Sequence, residues 1–177
     1  SNFNSYDKTR FKTYNSVLLN AKNKYFGWQL NFGQNYRENA TWSEFLNTSS
    51  NTILSKVQSD KLNRSQFLKS GVTFDIKKDR LLFNYDINLA NSNSDTEGFG
   101  LGFVTLDKGK SHNTRQDAAI TYQKRFDDKS QKLDFVFNYN NNKNDFNLFS
   151  NVFRNAVLDN FSNQNYYNGK FDYSQGL

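Results

Sequence analysis

The fold class is decided by the stretch Leu81-Leu-Phe-Asn-Tyr-Asp-Ile-Asn-Leu-Ala90. Leu81, Phe83, Tyr85, Ile87 and Leu89 fall on one side of an extended chain, and Asn84, Asp86 and Asn88 fall on the other with Leu82 and Ala90. Successive side chains of a strand point to opposite faces, so this spacing predicts a strand with one apolar and one wet face. The alternation recurs in both directions. Toward the N-terminus, Leu68, Val72, Phe74 and Ile76 alternate with Lys69, Thr73 and Asp75, and Phe26, Trp28, Leu30 and Phe32 with Gln29, Asn31 and Asn35. Toward the C-terminus, Ala118, Ile120, Tyr122 and Phe126 oppose Thr121, Gln123 and Arg125, and Leu133, Phe135, Phe137 and Tyr139 oppose Asp134, Asn138 and Asn140. Weaker copies lie at 11–21, with Val17 and Leu19, and at 167–173, with Phe171. Helical spacing is scarce, so the chain reads as all-β with seven strands.

The connections alternate in length. Short turns fall at 22–24, 77–80 and 127–131, whereas 37–64, 91–116 and 141–162 are long polar stretches that read as loops or strand extensions. All the short turns therefore fall at one end. A soluble sandwich usually has strands of about five or six residues and loops of mixed length at both ends. Outer-membrane barrels instead have strands of roughly 9 to 11 residues, short periplasmic turns, long extracellular loops and alternating lipid-facing and lumen-facing residues. Residues 97–106 place Phe99, Leu101 and Phe103 against Gly98, Gly100 and Gly102, and are expected within the second long loop. As an eighth full strand they would reverse the sidedness of everything after them.

Composition removes several chemistries. The chain has 177 residues with no Cys and one His, which excludes disulfides, thiolate nucleophiles, Cys-ligated zinc and multi-histidine metal sites. Its mean hydropathy is −0.88, yet 17% of residues are aromatic, and disordered chains are poor in aromatics. The polarity comes largely from 28 Asn, so the net charge reaches only +6. Runs of apolar residues are about three long, against roughly 20 for a membrane helix, a test that a β-barrel escapes. With no starting Met, basic leader or apolar leader core, the chain is expected to be a mature product or an internal piece.

At the level of local sequence, the hairpins Gly71-Val-Thr-Phe-Asp-Ile-Lys-Lys-Asp-Arg-Leu-Leu-Phe-Asn-Tyr and Ile120-Thr-Tyr-Gln-Lys-Arg-Phe-Asp-Asp-Lys-Ser-Gln-Lys-Leu-Asp-Phe are similar to a known family, as is the Asn-rich approach to Gly169-Lys-Phe-Asp-Tyr. Essentially the whole chain resembles the outer-membrane β-barrel region of TonB-dependent transporters, in particular the branch of glycan and peptide importers that work with surface lipoproteins. The resemblance implies an antiparallel up-and-down transmembrane β-barrel segment in the bacterial outer membrane, with short turns on one side and long loops on the other. Residues 1–177 would form part of one barrel domain, the plug domain and TonB-contacting segment being absent from this stretch. Family barrels have about 22 strands, so seven strands imply a piece of a larger wall. The implied function is nutrient uptake (glycan, peptide or chelate) without any bond in the cargo being changed. The implied partners are outer-membrane lipid, the rest of the barrel and plug, a surface lipoprotein and TonB. Two alternatives stay open: a secreted soluble all-β binding or adhesion module, and a small outer-membrane barrel without a transport role.

Site chemistry points away from an enzyme and from cofactors. Gly98-Phe-Gly100-Leu-Gly102 lacks the helix and spacing of a dinucleotide loop. Asn91, Asn93, Asp95 and Glu97 resemble part of a calcium loop, but Thr96 stands where an EF-hand needs Gly and Gly102 where it needs Glu. His112 has no spaced nucleophile and acid around it and reads as a loop residue. Nucleic acid is disfavoured because the rings lie on the apolar faces, while Lys22, Lys24, Lys77, Lys78, Arg80, Lys124, Arg125, Lys129 and Lys132 gather at the short turns. That basic rim, beside a girdle of Phe26, Trp28, Phe74 and Phe126, suits anionic lipid headgroups, although Asp79, Asp127 and Asp128 partly neutralise it. The candidate ligand contacts are loop aromatics able to stack on sugars or fill peptide pockets: Trp42, Phe45, Phe99, Phe146, Phe149 and Phe153.

Overall fold

The computed structural model describes residues 11–47, 52–100, 102–126, 131–152 and 156–175. They form one antiparallel sheet of seven strands in sequence order: β1 (Lys12–Lys22), β2 (Phe26–Asn47), β3 (Thr52–Ile76), β4 (Asp79–Gly100), β5 (Phe103–Arg125), β6 (Gln131–Ser150) and β7 (Ala156–Gln175). Each strand pairs with its predecessor from turn to tip, as in Ile76 opposite Asp79 and Ser55 opposite Gly100 for β3 and β4. The sheet is open. β1 touches only β2 and β7 only β6, so the described strands form an arc with two free edges and not a closed barrel.

Of the two readings of the long polar stretches, loops or strand extensions, the described residues take the second: β2 to β7 run for 20 to 25 residues, carrying the ladder far past the apolar segments. The described residues of 97–106 belong to the two arms of the β4–β5 hairpin and not to an eighth strand. Glu97–Gly100 ends β4 and Phe103–Leu106 begins β5, with Gly102 taking φ 86° at the turn. Polar cross-strand pairs do here what apolar ones do below. Asn113 donates to Asn142 at 3.0 Å, Asn141 donates to Asn163 at 2.8 Å and to Asn165 at 2.7 Å, and the Ser59 and Thr96 hydroxyls meet at 2.9 Å.

The short turns are built locally. At the first, the Asn23 side-chain oxygen accepts from the Tyr25 and Phe26 amides at 2.8 Å each, an Asx turn that hands the chain to β2. At the second, two residues join β3 to β4, with Lys77 at φ 58°. Of the third turn, residues 127–130 lie outside the described residues.

No hydrophobic side chain is buried among the described residues. The buried positions are Gly27, Gly33, Gly71, Gly98 and Gly109, and the register puts all five on one face. A Cβ built on Gly33 would lie 2.5 Å from the Phe67 ring and 2.7 Å from the Asn15 carbonyl oxygen; one on Gly109 would lie 2.6 Å from the Ser94 hydroxyl. Along β4 the same face is also the less exposed one, Ser92, Ser94 and Thr96 being half-buried where Asn91, Asn93, Asp95 and Glu97 are exposed, as on the inside of a curling sheet.

Candidate functional site

The register joins the separate apolar segments into one surface. Val17 and Leu19 of β1 stand beside Phe32 and Leu30 of β2, and Trp28 and Phe26 stand beside Val72 and Phe74 of β3. These continue into Phe83 and Leu81, then Ile120 and Tyr122, then Phe137 and Phe135, and finally Gly169 and Phe171. Every segment read as apolar from the sequence thus lies on the convex face, as one band across all seven strands beside the short turns. Rings interlock along it, with Phe26 and Phe74 centroids 5.2 Å apart and Tyr139 and Tyr167 also 5.2 Å apart. Phe32 remains 50% exposed and Phe171 65%.

Seven strands at about 4.8 Å spacing and about nine residues of height at about 3.3 Å each make a band of roughly 1,000 Å² of sheet face. The largest apolar patch on an ordinary soluble monomer is about 300–600 Å². The opposite, concave face of the same rows is mostly polar, carrying Gln29, Asn31, Lys69, Thr73, Asn84, Asp86, Asp117, Thr121, Asp134 and Asn138, with Leu18, Phe67, Leu82, Ala119 and Val136 scattered among them and forming no continuous band. A shallow polar groove of about 490 Å³ crosses that face, lined among others by Tyr14, Asn35, Phe67, Lys69, Asp86 and Arg115. In it the Tyr14 and Phe67 rings stack 6.1 Å apart and Arg115 pairs with Asp117 at 2.9 Å. Above the band both faces are mostly polar, with scattered rings: Trp42, Phe99 and Phe149 on the convex face and Phe45 and Phe146 on the concave one.

Below the band lies the rim. Asp75 pairs with Arg80 at 2.6 Å and Lys22 at 3.8 Å, and the Arg80 guanidinium holds the Asp75 carboxyl below the usual carboxylate range. Asp79 accepts from the Tyr122 hydroxyl at 3.0 Å. The ammonium groups of Lys24 and Lys124 sit 5.3 Å over the rings of Tyr25 and Phe126 respectively.

The candidate ligand aromatics do not assemble into one site. Trp42, Phe99 and Phe149 are on the convex face of β2, β4 and β6, separated by intervening strands, whereas Phe45 and Phe146 are on the concave face. Trp42 carries the Lys56 ammonium 5.5 Å over its ring, and Phe99 stands directly opposite Lys56. Phe153 lies outside the described residues. The oxygen-bearing string Asn91, Asn93, Asp95 and Glu97 is spread along an extended strand instead of wrapping a point. His112 touches the Asn91 carbonyl oxygen through Nδ1, lies 3.5 Å from the Thr114 hydroxyl through Nε2 and stands opposite Asp145. No group of three or more His, Asp or Glu among the described residues could hold a metal. No helix among the described residues is long and apolar enough to cross a membrane.

Sequence reading missed one feature, the gathering of the five buried glycines on the concave face. Its spacing shows only once register ties Gly27, Gly33, Gly71, Gly98 and Gly109 together. No family model matches this chain, and no curated protein does.

Proposed function

We propose that this chain is a seven-strand section of the wall of an outer-membrane β-barrel, and that the barrel is a TonB-dependent transporter for nutrient uptake. The observation that carries the membrane reading is the apolar band of the convex face, running across every strand at one height and stopping at one level. Its height on β4, Leu81 to Leu89, is nine residues, within the roughly 9 to 11 of a tilted membrane strand. A second packed sheet could cover such a band, but strands that continue for about a dozen residues with mostly polar faces suit a barrel wall rising above a bilayer. In this reading the free edges of β1 and β7 pair with further strands of the same barrel, which removes two exposed ladders that would otherwise promote aggregation. The amide-rich concave face lines the lumen against plug and cargo. The transport role is supported by the resemblance of the 71–85 and 120–135 hairpins to that family.

The test is membrane extraction with an intact mass. Retention in the outer-membrane pellet after carbonate, heat-modifiable gel mobility and a polypeptide several times 20.7 kDa are the expected results. A freely soluble monomer without detergent ends the reading in favour of a secreted binding module. A membrane protein near 20.7 kDa ends the transporter half alone and leaves a small barrel.

A further inference from the structure

Charge is distributed unevenly along the strands. Among the described residues, 22–25, 75–80, 123–126 and 131–132, at the short turns, carry eight cations and two carboxylates, whereas 33–47, 52–66, 88–100, 102–115, 140–152 and 156–162 carry eight cations and eight carboxylates over more than four times the length. The sequence makes this excess and the fold concentrates it, because antiparallel pairing brings the three turns to one end of the sheet. The lowest row of the apolar band, Phe74, Leu81 and Tyr122, lies immediately above. Both of these carboxylates are engaged within the protein, Asp75 by Arg80 and Lys22, and Asp79 by the Tyr122 hydroxyl. Lys24 and Lys124 lie over aromatic rings at this level, the posture of a cation whose stem follows apolar surface while its head stays at a polar boundary.

We propose that this rim is a docking surface for the headgroups of anionic phospholipids in the leaflet on the short-turn side. The inference rests on the band facing lipid: the band fixes the bilayer edge, and the rim then stands at headgroup height. Phosphodiester groups match it in charge, and lysines near an anionic lipid surface each contribute favourably. The contact favours one orientation of the wall, since the opposite end of the strands lacks the excess. Lys77 is central to it, an exposed residue in a two-residue turn between β3 and β4, at φ 58°.

The test uses the intact protein reconstituted in phosphatidylcholine bilayers containing trace spin-labelled phosphatidylglycerol or spin-labelled phosphatidylcholine. The readout is the fraction of each label immobilised at the protein surface. The expected result is a preference for phosphatidylglycerol of about fivefold at low salt, declining toward unity in high salt. The triple variant Lys24→Gln, Lys77→Asn, Lys124→Gln should lose most of this preference while still immobilising phosphatidylcholine, which reports that it has folded and inserted. Equal immobilisation of the two lipids by the unaltered protein at low salt overturns the rim proposal and leaves the barrel reading standing. Immobilisation of neither lipid overturns the barrel reading itself.

Discussion

Phe74 and Phe83 meet edge to face on diagonal positions of β3 and β4, their ring centroids 6.4 Å apart and their planes at 86°. The contact ties the row above the second short turn into the band, where Phe83 also stands beside Val72 and Ile120. A charge at this point would sit in hydrocarbon if the band is lipid-facing. Phe83→Arg and Phe135→Arg should each lower folding stability in bilayers by about 2 to 4 kcal/mol, whereas Asn138→Arg on the concave face should cost under about 1 kcal/mol. Urea titrations of the reconstituted protein measure this, and equal costs on the two faces would show the facing to be wrong.

The glycine face predicts a contrast between two conservative substitutions. A methyl group at Gly33 meets the Phe67 ring at 2.5 Å and the Asn15 backbone oxygen at 2.7 Å, and the backbone oxygen cannot rotate away. Gly33→Ala should destabilise by about 1 to 3 kcal/mol, the usual range for overpacking. At Gly169 nothing lies within 4 Å of an added Cβ, so Gly169→Ala should be neutral or stabilising by up to about 1 kcal/mol through reduced freedom of the unfolded chain. Comparing the two unfolding midpoints checks the pair.

Lys77 occupies the left-handed region at φ 58°, a conformation that costs an ordinary residue about 1 to 2 kcal/mol and Gly almost nothing. Lys77→Gly should therefore raise stability by up to about 1 kcal/mol, the extra freedom of glycine in the unfolded state offsetting part of the relief. Gly102→Ala, at φ 86° in the turn between β4 and β5, should do the reverse. A destabilised Lys77→Gly variant would mean that the lysine side chain holds the turn.

The Asp75 carboxyl gives a pH signature. Its hydrogen bond from Arg80 is the main cause of the depressed value, helped by the charges of Arg80 and Lys22. A group whose folded value lies below its unfolded one stabilises fully above the unfolded value, about pH 3.9 for Asp, and that contribution disappears as pH falls through the folded value. The stability difference between the unaltered protein and Asp75→Asn should be constant from pH 5 to 8 and shrink below about pH 4. If the difference at pH 3 equals that at pH 7, the ion pair is not what Asp75 contributes.

Much of the sheet was legible in the sequence because its lower half obeys one rule strictly. Leu81 to Leu89 alternates without a break, and each apolar set identified in isolation lands on the same face once register is known. The first two short turns, at 22–24 and 77–80, were legible too as breaks between alternating segments. The upper half was not, since 91–100 and 141–150 have almost no apolar periodicity and are strands only because Asn, Ser and Thr pair across the ladder. The candidate ligand rings Trp42, Phe45, Phe99, Phe146 and Phe149 are divided between the two faces for a related reason. A one-residue difference in parity sends two rings to opposite faces, and composition carries no parity.

The polar upper half also bears on how the sheet forms. With no buried face there to select an alignment, a slipped pairing above Gln66 and Leu89 would cost little side-chain burial, so alignment must be inherited from the Ile76 and Asp79 end. Each hairpin then zips upward from its short turn and frays downward from its tip. Backbone amides near Asp60, Asp95 and Lys108 should exchange with deuterium sooner than those near Val72, Phe83 and Ile120, a gradient along single unbroken strands that makes the far end the compliant part of a stiff wall.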